Sequence, residues 1–123
     1  MQENKSALES GDLAELVVKG MQERKAKDIV VMDMTHVNNA VANYFVVCSG
    51  TSDTQVDAIS DAVAEEVYKH AKQDPWHKEG KQNREWILLD YVDVVVHIFK
   101  GDKRSFYGLE ELWGDAKTTI IES

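Results

Sequence analysis

Apolar positions along this chain switch between helical and strand periods. From Asp12 to about Lys25, Leu13, Leu16, Val17 and Met21 recur at helical spacing, with Glu15, Lys19, Glu23 and Arg24 on the polar side. The pattern predicts a helix capped by Asp12, in which Gly20 costs about 1 kcal/mol relative to alanine. Asp28 to Met34 (DIVVMDM) is short, β-branched and apolar at both parities, as in a strand covered on both faces. THVNNAVAN reads as a loop or a turn of helix, and Tyr44 to Cys48 as a second strand ending in SGTSD. The clearest helix follows. Ser52 and Gln55 match a capping box, and Val56, Ile59, Val63 and Val67 form one apolar stripe. Asp57, Asp61 and Glu65 form a like-charged row that reads as a solvated face. After a polar loop broken by Pro75 and Gly80, the stretch Glu85 to Phe99 (EWILLDYVDVVVHIF) holds two further strands. A short helix from Asp102, a turn at Leu109 to Trp113 and a tail complete the chain. Strands alternating with helices imply an α/β domain with a mixed β-sheet flanked by helices. The expected bounds are a polar lead at 1–11, the folded domain at 12–116 and a tail at 117–123.

Composition narrows the function classes. The 123 residues suit one domain, and 43% hydrophobic residues suffice for a core. Cys48 is the only cysteine, so no intrachain disulfide forms, and its neighbours YFVVCSG read as a buried strand. The polar N-terminal residues have no apolar signal-peptide core. No apolar run approaches the roughly 20 residues that span a bilayer, so a soluble, cytoplasmic protein with no membrane contact is expected. At a net charge of −8 the chain gains little from counterion release at a phosphate backbone. Little direct nucleic-acid contact is expected, and a basic protein is the easier partner.

Three groups of residues invite a chemical reading. Asp90, Asp93 and His97 supply two carboxylates and an imidazole, the material of metal or acid–base sites. Along a strand, however, 90 and 93 face opposite sides, and the simpler expectation is a turn set by the aspartates and a hydrogen-bonded core histidine. The Gly50-Thr51-Ser52 turn, between a strand and a helix N-terminus, has the outline of a phosphate cradle. With Asp33 and Asp90 converging from two strands it would make a nucleotide-binding or nucleotidyltransferase-like enzyme, but the P-loop pattern is absent. The third group is aromatic: Trp86, Tyr91, Phe106, Tyr107 and Trp113, near Lys100, Lys103 and Arg104, which suits a core and a partner-binding surface alike.

The stretches YFVVCSGTSDTQVDAI, EWILLDYVDVVVHIF and FYGLEELWGDA, in that order, resemble the ribosomal silencing factor family, also called Iojap-like, over roughly Leu13 to Ala116. The resemblance implies a nucleotidyltransferase-like α/β fold without an established catalytic activity or cofactor. It also implies binding to the large ribosomal subunit through the ribosomal protein uL-fourteen, which blocks subunit joining, and organellar relatives act in large-subunit assembly. By motif position the partner-binding residues fall on Trp86, Asp90 and Tyr91, with Arg104 and Tyr107 as a basic-aromatic pair. An exposed aromatic surface would also allow a homodimer off the ribosome. One departure stands out. The family commonly has glycine between Tyr91 and Asp93, where this chain has Val92, a β-branched residue ill suited to positive φ.

Overall fold

The computed structural model describes residues 9–80, 82, 85–101 and 116–121. In chain order they form α1 (Ser10–Glu23), β1 (Lys27–Asp33), β2 (Tyr44–Gly50), α2 (Asp53–Ala71), β3 (His77–Glu79), β4 (Trp86–Asp90), β5 (Val94–Lys100) and β6 (Lys117–Ile120). The strands make one six-stranded mixed sheet in the order β3-β4-β5-β2-β1-β6. Only β2 and β5 run parallel, at its centre, and the other pairs are antiparallel. This is the α/β class and mixed sheet that the apolar pattern predicts.

Both described helices pack on one face of the sheet. Alternate residues of the central strands point at them: Val46 and Cys48, Ile87 and Leu89, and Val94, Val96 and Ile98. They meet Leu13, Val17 and Met21 of α1 and the predicted stripe Val56, Ile59, Val63 and Val67 of α2. The residues of opposite parity, Phe45, Val47, Val95 and Phe99, belong to a second cluster with Val30, Met32 and Met34 on the other face. Such two-sided burial is why these strands read as near-continuous apolar runs.

Gly20 is a point of close approach between the helices. A Cβ there would lie 2.7 Å from Val63 Cα and 3.0 Å from the Ala62 carbonyl oxygen. The glycine that weakens α1 locally is what lets α1 approach α2.

Three sequence expectations shift, and a fourth is not tested. Helix α1 starts at Ser10, and its cap residue Glu9 makes no side-chain capping bond, so Asp12 sits inside the first turn rather than before it. There its charge still opposes the positive end of the helix dipole. His77–Glu79, expected as loop, pairs with Leu88–Asp90 as an edge strand. Lys117–Ile120, expected as tail, pairs with Val30–Asp33 as the opposite edge. The helix expected from Asp102, and the turn after it, lie outside the described residues.

Candidate functional site

The chemistry-bearing residues cluster at the two ends of β4. At its start, Trp86 pairs with Phe99 across the strands, and Leu88 pairs with His97. The register therefore puts Trp86 diagonally beside His97 on the face away from the helices. The indole Nε1–H of Trp86 donates to His97 Nδ1 at 3.0 Å. The indole also stacks on Phe99, with ring centroids 5.3 Å apart and planes 20° apart. Phe45 meets the imidazole edge-on at 4.8 Å. His97 is 3% exposed, and burial pulls its pKa down from 6.5 to about 4. Accepting the indole hydrogen bond on Nδ1 fixes the neutral tautomer with hydrogen on Nε2. His97 is thus the hydrogen-bonded core residue that its place inside an apolar strand predicts, and the half-buried Trp86 is held in one orientation by it.

At the other end, Asp90 shapes a tight turn. Its carboxylate Oδ1 accepts the Val92 amide at 2.7 Å. The Asp93 amide donates to the Tyr91 carbonyl at 3.0 Å, and the Tyr91 amide to the Val94 carbonyl at 2.9 Å. The Asp93 carbonyl then accepts the Asn43 and Tyr44 amides, tying the turn to the start of β2. Val92 sits at φ +77°. A hydrogen bond from residue 93 back to residue 91 around a positive φ is a γ-turn of the rare, strained kind. The valine therefore takes the conformation that favours glycine, at a cost on the order of 1–3 kcal/mol. Because its side chain is 57% exposed, Val92→Gly loses little packing. The variant should be more stable by about 1 kcal/mol after glycine's greater entropy loss is subtracted. A denaturant titration checks this, and a lower midpoint would mean that the turn holds no strain.

Tyr91 points the other way. Its ring is 5% exposed and packs in the helix-side core. Burial, then the charge of Asp74, push its phenol well above the ordinary tyrosine range. Tyr91 therefore supports the turn from beneath, and its ring is not part of the exposed surface. Arg104 and Tyr107 lie outside the described residues.

The enzyme-like constellations do not assemble. Asp33 is on β1 and Asp90 on β4, with β2 and β5 between them, which separates their strands by about 14 Å at ordinary inter-strand spacing. Asp33 instead accepts the Thr35 hydroxyl at 2.6 Å and its amide at 2.9 Å, and these bonds hold its carboxyl below the usual range. Asp90 and His97 share a sheet face, but Oδ1 of the first holds Val92 and Nδ1 of the second holds Trp86. No group of three metal-ligating side chains occurs among the described residues. At the Gly50-Thr51-Ser52 turn, Ser52 Oγ accepts the Gln55 amide at 3.1 Å. Gln55 Oε1 accepts the Thr51 amide at 2.7 Å and its hydroxyl at 2.9 Å. Gln55 Nε2 donates to the Arg24 and Lys25 carbonyls just beyond α1. The groups that would cradle a phosphate thus cap α2 and join it to the end of α1. Lys100, whose ammonium lies 2.9 Å from Asp53, adds an ion pair at the same helix start.

An exposed tryptophan also lies outside the three groups that the sequence singles out. Trp76 is 78% exposed beside β3. Its signal is a lone tryptophan in the polar run DPWHKEG, and an exposed large apolar side chain is more informative than a buried one.

The described residues have the architecture of an α/β domain with a mixed six-stranded sheet, two helices on one face and a tight turn after β4. This chain belongs to the ribosomal silencing factor family: the family model described as "Ribosomal silencing factor during starvation" matches residues 7–123. It is 38% identical over 114 residues to "Ribosomal silencing factor RsfS" of Halalkalibacterium halodurans, covering 90% of this chain and 93% of that protein. A crystal structure of a Chromobacterium violaceum protein superimposes with a TM-score of 0.80 at 30% identity, covering 94% of this chain and 95% of that one. The mouse protein "Mitochondrial assembly of ribosomal large subunit protein 1" is 32% identical over 102 residues, which span 80% of this chain and 44% of the mouse protein.

Proposed function

We propose that this protein is a non-enzymatic translational repressor in the cytoplasm, which binds the large ribosomal subunit through the ribosomal protein uL-fourteen and sterically blocks subunit joining. Family membership supports the ribosomal role. The observation that carries the docking face is the oriented Trp86: a half-buried indole, stacked on Phe99 and hydrogen-bonded to His97. A rigid aromatic at a sheet margin loses little freedom on binding, which is the property of an interface anchor. Asp90 and the turn supported by Tyr91 close the same strand, and Arg104 and Tyr107 are further proposed contacts by motif position alone. The net charge of −8 suits a basic protein rather than bare RNA.

Co-sedimentation with separated ribosomal subunits tests the reading. The protein should travel with large subunits, and Trp86→Ala should weaken the association about tenfold or more, as for a tryptophan hot spot. Undiminished binding by that variant would remove Trp86 from the interface. The name of the mouse relative favours a second role in large-subunit assembly. Recovery on immature particles alone would select that role over repression.

A further inference from the structure

Asp90 has two bonded neighbours on the outer surface. Its main-chain oxygen accepts the Trp76 amide at 2.7 Å, and its carboxylate accepts the Val92 amide at 2.7 Å. The backbone positions that carry two exposed apolar side chains, 78% exposed at Trp76 and 57% at Val92, are thus both bonded to one residue. An acid stands near each in the chain, Asp74 two residues before Trp76 and Asp93 next to Val92. Asp74 and Asp93 are exposed, and Asp74 is near enough for its charge to act on the Tyr91 phenol. The backbone beneath is fixed by the β3–β4 ladder and the bonds of the turn to β2. Trp86 lies at the far end of the same strand, about 13 Å away at the rise of an extended chain.

We infer that Trp76, with Val92 and the carboxylates of Asp74 and Asp93, forms a second anchor point for a basic protein segment of the large subunit. The inference rests on the ribosome-binding reading and adds a contact separate from Trp86. An indole supplies large, stiff contact area. These two acids select lysine or arginine side chains, which also lie over an indole face as cations, and repel a phosphate backbone. Charge complementarity therefore favours a basic polypeptide over ribosomal RNA.

Affinities for isolated large ribosomal subunits decide this, measured for the full chain and for Trp76→Ala, Trp86→Ala and the double variant Asp74→Asn with Asp93→Asn. Trp76→Ala should weaken binding about tenfold with an unchanged thermal unfolding midpoint, because the side chain is exposed. The double variant should also bind more weakly and lose part of the salt dependence. Full binding by Trp76→Ala alongside weakened binding by Trp86→Ala overturns the second anchor and leaves the repressor reading intact. No binding by the unaltered protein overturns both. Unchanged or tighter binding by the double variant overturns the basic-polypeptide assignment, and tighter binding identifies RNA phosphate as the neighbour.

Discussion

Lowering the pH from 7 to 4 should cost this protein about 3 kcal/mol of folding free energy through His97 alone. In the folded state its pKa is about 4 because burial opposes the charge, against an ordinary value of 6.5. Between these values the unfolded chain binds a proton that the folded chain does not, so stability falls as pH falls. The contribution is complete above about pH 6.5 and is lost on the way down to pH 4, at about 1.4 kcal/mol for each step of one in pH. Urea unfolding at pH 7, 6 and 5 should show this slope in the unaltered protein. The slope should shrink in His97→Phe, which leaves the exposed histidines in place and lowers stability at every pH by leaving the Trp86 N–H without its acceptor. Parallel slopes in the two proteins would assign the proton to another group.

The second large effect is expected at Gly20. Gly20→Leu should lower stability by about 3 kcal/mol, the upper part of the usual range for overpacking. The first carbon of the new side chain already meets main-chain atoms of α2, at 2.7 Å from Val63 Cα and 3.0 Å from the Ala62 oxygen. Main chain cannot rotate aside as a side chain can, so the helices must separate. For a chain of this size the melting temperature should fall by about 10 °C. Gly20→Ala meets the same first contact but regains about 1 kcal/mol of helix propensity, so its loss should be smaller. A stabilised alanine variant in a thermal melt would show slack between the helices.

Helix α2 was legible because its signals are local: the Ser52 and Gln55 cap, then the stripe from Val56 to Val67. Strands β2 and β5 were legible because burial on both faces leaves uninterrupted apolar runs. Strands β3 and β6 were not, for the opposite reason. Every residue of both is exposed, and they are strands through pairing with a neighbour rather than through any pattern of their own. The site divides along the same line. Parity was enough to separate Asp90 from Asp93 and to read His97 as structural. The bond between Trp86 and His97 depends on the β4–β5 register, which no short window reveals. Tyr91 follows Asp90 just past an apolar run and fits an exposed or a buried role equally by type; the direction of its ring comes from the alternation of β4 continuing one residue past the strand. At Val92 the β-branched residue type argued against positive φ, and the valine adopts it all the same.

The parallel β2–β5 pair has a consequence for synthesis. Tyr44 meets Val94, and Gly50 meets Lys100, so the central ladder joins segments made far apart in time. β1 and β2 are available to each other early, as are β4 and β5 later, and each pair is antiparallel. The core residues Val46 and Val47 gain their β5 neighbours, Val96 and His97, only after the chain has been extended past His97. Until then β2 presents an open apolar flank, which makes it the segment most in need of protection while the protein emerges.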